Sequence, residues 1–364
     1  MLGSSGARLP RRRCVAGVGA AVLLASLSGT PAAAGIQATL DTSVARDDYN
    51  LSTTHFGAEL AQGGPDLGWR LRGRWYVYSL DRDLVGIRSF SGAEPAAELG
   101  AHWLSGSWWL SGTAGLQGTL SSADAVGNVV LARALALDEG TLTPRVDVGR
   151  RPLALSSLPL SLGLKAYGVE GALAWRSPGW IGELAGRVDW WDATTVEGRV
   201  ENPALATIPA NRRTLASAYL ISQGCWLQGG LLAKVQNGQR NTLLATQTTP
   251  DYAYTWYPIS MPVWAWEAAA IGRVTGRPFA SLQALLQVQI PFVSREMRQW
   301  EWAEQWAWGT AAWEAKAELT WDMTETAQVT FGGVLFAKPW SNWDVSGGDG
   351  YRQISLQAGI TQRL

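Results

Sequence analysis

The sequence is poor in cysteine, histidine and lysine. Its 364 residues include two Cys and two His, and Lys occurs only at positions 165, 234, 316 and 338. A disulfide-stapled scaffold needs several Cys pairs, and a zinc site needs spaced Cys and His ligands. The sequence therefore predicts neither kind of structure, and we expect no metal and no cofactor.

The full chain also carries no net charge. Lys+Arg and Asp+Glu number 30 each, and charged residues make up 16% of the chain. A nucleic-acid-binding surface requires an excess of basic residues, whereas a disordered chain combines few apolar residues with a high net charge. Both classes are excluded by this composition, and we expect no nucleic-acid partner.

Long apolar runs are missing as well. After the N-terminal region, no stretch holds the roughly 18 uninterrupted apolar residues of a transmembrane helix. At the start, four arginines precede a small apolar run over 14–27, and the small residues of 31–34 suit a cleavage site. This order predicts a secretory signal peptide over 1–34. Its removal takes away four Arg and no acid, which leaves 26 basic and 30 acidic residues, a net charge of −4.

Tryptophan is abundant, with 21 residues, and many of the segments that contain it alternate with a period of two. The segment 313–322 is representative, because its apolar residues occupy the odd positions and its charged residues the even ones. Segments at 107–120, 182–191 and 280–290 alternate in the same way. Such segments are predicted to be strands with one apolar and one polar face.

The lengths of these strands and of their connections indicate a membrane. The segments run for about 10 to 14 residues, which suits a tilted membrane crossing, and several Trp lie near segment ends, as in interfacial girdles. Short connections alternate with longer ones. The longer ones are predicted near 81–93, 121–126, 192–212, 238–260, 294–305 and 338–350. This asymmetry is typical of tight periplasmic turns and long extracellular loops.

Together these features resemble Gram-negative outer-membrane β-barrel proteins. The segment 351–364 looks like the terminal strand that the barrel-assembly machinery recognises, although it ends in Leu364 where members usually end in Phe or Trp. The resemblance implies one all-β domain over 35–364, a transmembrane antiparallel up-and-down β-barrel of about 16 strands (roughly 14–18) in the outer membrane. It also implies outer-membrane lipid and the barrel-assembly machinery as partners.

The polar strand faces supply the candidate site. The predicted pore-lining residues are Arg70, Arg72, Arg74, Tyr76, Tyr78, Glu183, Arg187, Asp189, Glu314, Lys316 and Glu318. Facing rows of opposite charge would set a transverse field that selects solutes by size and sign. The alternative is that these charges pair with one another and stabilise a water-filled barrel.

Aromatic residues on the polar parity suggest stacking against sugar rings. The alternative is a local error of register, a bulge, or an interfacial position near the strand end. These residues are Tyr76, Tyr78, Trp109, Tyr167 and Trp191. Two predicted loops, around 252–257 and 300–308, are aromatic as well. They would form either a surface binding patch or a collar at the outer lipid boundary.

No catalytic set is predicted. The chain holds no Gly-x-Ser-x-Gly motif, and a nucleophile would have to use His55 or His102 as its base. His102 shares its predicted face with Glu98, which leaves a membrane-embedded hydrolase as an alternative. The favoured interpretation is a polar side chain that fills the lumen, and we expect the protein not to be an enzyme.

Polar, mixed-charge strand faces without a plug domain predict a channel for hydrophilic material. The chain resembles exopolysaccharide-secretion barrels in its size, lumen aromatics and Trp-rich loops. That resemblance implies polysaccharide export, with polysaccharide and other export components as partners. Two alternatives stay open: a general diffusion porin for small solutes, and a non-conducting barrel that serves as an adhesion or structural platform.

Overall fold

The structure is a computed structural model, and most of the chain beyond residue 34 is described. The described residues are 35–47, 51–80, 90–118, 123–152, 164–195, 207–223, 226–247, 254–300, 303–308, 313–338 and 351–363. The proposed signal peptide lies outside these ranges and stays a prediction. Within them, no helix has the length and apolarity needed to cross a membrane.

The described residues form twenty β-segments, and antiparallel pairing joins eighteen of them into one sheet. The segments are β1 Ile36–Asp47, β2 Leu51–Gly63, β3 Leu67–Leu80, β4 Phe90–Ser105, β5 Trp108–Gly118, β6 Ala123–Arg133, β7 Leu135–Leu137, β8 Gly140–Pro152, β9 Lys165–Arg176, β10 Trp180–Trp191, β11 Thr194–Thr195, β12 Thr207–Ile208, β13 Asn211–Ser222, β14 Leu227–Gln247, β15 Tyr254–Phe279, β16 Leu282–Trp300, β17 Ala303–Trp308, β18 Trp313–Asp322, β19 Ala327–Lys338 and β20 Tyr351–Arg363.

Four of these segments are parts of two longer strands. β6 and β7 pair in succession with β8, and β17 and β18 pair in succession with β16. The eighteen segments of the sheet therefore make sixteen strands in the described part of the chain, which confirms the predicted number. β11 and β12 form a separate two-stranded hairpin.

The first and last strands close the sheet. β1 pairs with β2 on one side and with β20 on the other, so that Leu40 lies between Ala58 and Ile360. A closed sheet leaves no edge strand whose backbone groups lack partners. The predicted antiparallel up-and-down β-barrel is therefore confirmed.

The outer face of the barrel is apolar and uncovered. Leu40, Leu184 and Leu356, from three different strands, are 59%, 60% and 62% exposed. Such residues belong to a continuous outward-facing set of Leu, Val, Ile, Phe and Trp side chains. A water-soluble protein does not leave so large an apolar surface open, whereas a membrane barrel presents it to lipid.

The short turns and both described ends of the chain lie at the same end of the barrel. Ile36 pairs with Gln62, next to the turn at 64–66, and Arg363 pairs with Gln37. Gly106 has a φ of 57°, the left-handed conformation that lets a two-residue turn join β4 to β5. Short turns face the periplasm in outer-membrane barrels, so this is the periplasmic end and the other is the extracellular end.

Two predicted loops are in part β-hairpins. β14 continues to Gln247 and β15 begins at Tyr254, inside the predicted loop 238–260, while β16 and β17 occupy most of 294–305. β15 has 26 residues, so at roughly 3.3 Å per residue it exceeds the ~30 Å hydrocarbon core. Strands that project into water need no apolar face, and the period-two signal therefore disappears there.

The aromatic residues of these hairpins cannot be assigned to a patch or to a collar. Trp256 lies on β15, Trp300 ends β16, and Trp306 and Trp308 lie on β17, so their backbone is strand and not loop. The orientation of these side chains falls outside the described part of the structure, and both interpretations stay predictions.

Candidate functional site in the barrel lumen

The inner face of the barrel carries the predicted polar residues. On β3, Trp75 and Val77 are exposed to the lipid side, and the alternate positions place Arg74 and Tyr76 on the inner face. The same alternation places the other predicted residues inward. They are Arg70, Arg72, Tyr78, Glu183, Arg187, Asp189, Glu314, Lys316 and Glu318. Their role in lining a conducting pore stays a prediction.

The three arginines of β3 face three acids on neighbouring strands. Glu98 of β4 lies 3.1 Å from Arg74 (Oε2 to Nη2) and 3.3 Å from Arg70 (Oε1 to Nη2). Arg72 lies 3.8 Å from both Asp41 of β1 and Glu59 of β2. We call these six residues the β3 network, and its three positive and three negative charges balance.

His55 lies at the extracellular side of the β3 network. It is buried, its Nδ1 lies 3.1 Å from Oδ2 of Asp41, and its ring stacks on Tyr76 at a centroid distance of 4.5 Å. The hydroxyl of Thr42 donates to the backbone carbonyl of His55 at 2.9 Å. His55 is therefore part of the inner wall and does not belong to the loop that follows β1.

A second network centres on Asp189 of β10, whose side chain is fully buried. Asp189 Oδ1 accepts from Nε of Arg187 at 2.7 Å, and Oδ2 accepts from Nε of Arg213 at 3.0 Å. Nearby, Arg145 donates to Glu170 at 2.6 Å and lies 3.8 Å from Glu183. Of the predicted residues, Arg187 and Asp189 therefore pair with each other, whereas Glu183 lies beside Arg145.

A third group spans β15, β16 and β18. Lys316 lies 3.0 Å from Glu318 on the same strand. Arg273 donates to the side-chain oxygen of Gln287 at 2.7 and 2.9 Å, and Gln289 donates to Glu267 at 3.1 Å. Amides thus supply some of the partners here that carboxylates supply elsewhere.

Each observed ion pair is local. It joins side chains on the same strand or on strands no more than two apart. This arrangement favours the alternative in which the charges neutralise one another locally, instead of forming facing rows of opposite sign. The β3 arginines were predicted from the sequence, but Asp41 and Glu59 as their partners were not, and neither was Arg213. Parity alone marks these residues as inward, but only the strand register shows which of them meet.

The inner face of β19 and β20 carries mostly uncharged side chains between the charged groups, and Arg363 at the periplasmic end of β20 has the same inward parity. The uncharged polar side chains of this face are Gln328, Thr330, Gln353, Ser355, Gln357 and Thr361, which we call the amide–hydroxyl strip. Gln357 lies across Gly332, where a Cβ would come within 2.6 Å of its Nε2. In the described part of the chain, no hydrogen bond engages the side-chain amides of Gln353 and Gln357.

The predicted lumen aromatics have different environments. Tyr78 and Trp191 are buried, and the Trp191 indole donates to the backbone carbonyl of Pro209 at 3.0 Å. Trp109 faces inward and stacks on His102 at 4.8 Å. The prediction for Tyr167 was wrong, because Glu170 is inward on β9 and the opposite parity of Tyr167 turns it outward, 41% exposed.

The environment of His102 does not match a catalytic pair with Glu98. Glu98 contacts Arg70 and Arg74, whereas His102 Nε2 lies 3.0 Å from the backbone carbonyl of Gly64. The described residues contain no group of three or more His, Cys, Asp or Glu side chains suited to a metal ion. The contacts of His102 are those of a wall residue near the periplasmic mouth.

No protein-family model and no curated protein matches the sequence. Among solved structures, a bacterial polysaccharide outer membrane secretin matches with a TM-score of 0.52 and 11% identity, covering 90% of this chain and 98% of that one. The outer membrane protein OpdK from Pseudomonas aeruginosa matches with a TM-score of 0.45 and 8% identity, covering 91% and 99%. OmpT of Vibrio cholerae matches with a TM-score of 0.42 and 9% identity, covering 90% and 96%.

At such identities a structural likeness establishes the fold alone. The sixteen-stranded closed sheet, the exposed apolar outer face and the polar inner face agree with that fold. The chain has the fold of a bacterial outer-membrane β-barrel.

Proposed function

We propose that the barrel is a channel for hydrophilic material and that its cargo is polysaccharide leaving the cell. A barrel of sixteen strands is wide enough to enclose an aqueous interior, and the inner face described above is polar. Export requires further components that deliver the polymer to the periplasmic mouth, and we include them in the proposal as partners.

The amide–hydroxyl strip carries this proposal. Amides and hydroxyls donate and accept hydrogen bonds at neutral charge, as the hydroxyls of a sugar do. Gln353 and Gln357 present unengaged amides on β20, next to a charged wall whose charges are already paired. A wall of this kind attracts ions weakly and offers an uncharged polymer a row of exchangeable partners.

The likeness to the polysaccharide secretin is consistent with this proposal at the level of fold and barrel size. Its 11% identity transfers no residue and no substrate. The choice of polysaccharide over small solutes therefore depends on the strip and has to be tested on it.

Single-channel conductance in planar bilayers tests the proposal. Neutral oligosaccharides added on the periplasmic side are expected to block the current in a concentration-dependent manner. Replacing both free amides, Gln353→Leu with Gln357→Leu, is expected to weaken this block several-fold. Gln362→Leu is the matched control, because Gln362 lies on the same strand with its side chain on the outer face.

Two results would contradict the proposal. A large conductance that oligosaccharides never block would identify a general diffusion porin. A folded barrel without any conductance would favour the adhesion or structural platform.

A further inference from the structure

Four outward-facing residues on four adjacent strands form a row on the outer surface of the barrel, near its extracellular end. Arg150 of β8 pairs in register with Tyr167 of β9, Tyr167 with Trp190 of β10, and Trp190 with Arg212 of β13. We call these four residues the outer row. Each lies within three residues of the extracellular end of its strand, as the bounds of β8, β9, β10 and β13 show.

The outer row lies at the boundary of the apolar belt. Two residues towards the periplasm, the next outward positions are Val148, Val169, Val188 and Thr214, three of them apolar and all exposed. Tyr167 and Trp190 are stacked at 6.1 Å with 21° between their planes. Aromatic side chains prefer this interfacial level, where hydrocarbon gives way to headgroups.

Neither arginine of the outer row forms a salt bridge among the described residues, although the charge of Arg150 acts on the Asp124 carboxylate. The guanidinium of Arg150 lies 5.5 Å from the Tyr167 ring centroid and donates to the backbone carbonyl of Ala125 at 2.9 Å. The nearby carboxylate of Asp124 already accepts from Lys165 at 2.7 Å. No ion pair within the described part of the chain engages Arg212, which is exposed. The inward arginines of the β3 network, by contrast, all have carboxylate partners.

We propose that the outer row binds the phosphate groups of a lipid headgroup in the outer leaflet. A guanidinium presents a planar fork of donors that matches phosphate oxygens, and it is less strongly hydrated than an ammonium group. Basic residues at a membrane surface also attract anionic lipids directly. The exposed Tyr167 and Trp190 rings lie between the two arginines and pack against the apolar parts of the same lipid.

The spacing of the row suits a headgroup with two phosphates. Three inter-strand intervals of about 4.8 Å place the backbones of Arg150 and Arg212 about 14 Å apart, with the Tyr167 and Trp190 rings between them. On this proposal each arginine takes its own phosphate. A headgroup with two phosphates, as in bisphosphorylated lipid A, spans the row, and this site is independent of what the lumen transports.

Native mass spectrometry of the detergent-purified barrel, titrated with bisphosphorylated lipid A, tests the proposal. The double variant Arg150→Gln, Arg212→Gln is expected to bind lipid A at least about tenfold more weakly than the natural chain. The matched control is Arg133→Gln, which removes an outward arginine that lies 4.9 Å from the Trp108 ring at the periplasmic end. Its lipid A affinity is expected to stay unchanged.

Three outcomes would overturn the proposal. The first is an equal loss of affinity in the double variant and in the Arg133→Gln control. The second is equal affinity of the natural barrel for lipid A and for its dephosphorylated form, a comparison that requires no variant to fold. The third is displacement of lipid A by equimolar inorganic phosphate, which would assign the row to free phosphate.

Discussion

The β3 network and the amide–hydroxyl strip lie on neighbouring parts of one inner wall, yet they are built in opposite ways. In the β3 network, Arg72 and Arg74 are charged but already paired with carboxylates. In the strip, Gln353 and Gln357 are neutral but have no partner in the described residues. The charges of this wall are therefore mainly paired, and our proposal assigns solute binding to the neutral part.

This contrast has an electrostatic basis. An ion pair between neighbouring strands satisfies both groups and leaves a weak field at a distance, whereas an unpaired charge would act across the lumen. Arginines alone would make the pore selective for anions. Their pairing with Asp41, Glu59 and Glu98 is expected to reduce that selectivity, and our proposal makes hydrogen bonding the basis of recognition.

Removing the shared acid of a buried network should have the largest effect. Asp189→Ala leaves Arg187 and Arg213 with no partner for two partly buried positive charges, which costs about 3–5 kcal/mol in comparable buried pairs. We expect a clear fall in the urea concentration that unfolds the barrel in detergent, measured by tryptophan fluorescence. Ser355→Ala, in the neutral strip, is the control, and an equal fall in both variants would contradict the difference between the two regions.

A change of ion selectivity should follow when the β3 network is unbalanced. Glu98→Gln removes one negative charge that Arg70 and Arg74 share, so the wall gains one net positive charge. The reversal potential in a KCl gradient is expected to shift towards anion preference, and the shift should shrink at high salt because ions screen the charge.

The control for this selectivity change is Gln362→Glu, on the outer face. It alters the charge of the chain without altering the lumen. If Glu98→Gln left the reversal potential unchanged, Glu98 would not face the conducting path.

The sequence could predict the barrel because each strand carries its own signal. In 313–322 the apolar and charged residues alternate without a break, and this segment is β18 with the predicted faces. The same signal fails in the extracellular half of β15, where the strand leaves the lipid and nothing requires an apolar face. Tyr167 was assigned to the wrong face, although Glu170, three residues later on the same strand, marks the opposite parity as inward.

The pairing of lumen charges could not be predicted, because it depends on register between strands that are distant in the chain. Arg72 and Asp41 lie on β3 and β1, and Arg213 meets Asp189 across a long connection. The parity of each residue follows from the sequence, but a relative shift of two residues would preserve every face and change every pair. The row of inward arginines on β3 could therefore be predicted from the sequence, but their neutralisation by carboxylates could not.

A charge placed in the amide–hydroxyl strip tests the contrast with the β3 network from its neutral side. Gln357→Glu keeps the size of the side chain but adds a carboxylate that has no arginine partner on β19 or β20 among the described residues. The barrel is expected to gain cation preference in the KCl gradient and to bind neutral oligosaccharides less tightly. If Gln357→Glu produced no change in reversal potential, the strip would be screened from the conducting path.

The smallest effect is expected where the strip joins β1. The hydroxyls of Thr39 and Thr361 lie 3.2 Å apart in a partly buried pair, and such a hydrogen bond contributes only about 0.5–1.5 kcal/mol because water replaces it in the unfolded chain. Thr39→Val keeps the shape and removes the bond, so the unfolding midpoint in urea should fall only slightly and the reversal potential should not move. Oligosaccharide block should also persist, since Gln353 and Gln357 are untouched. A loss of block in Thr39→Val as large as in the double glutamine variant would mean that the closure of β1 on β20, and not the free amides, determines how the wall binds sugar.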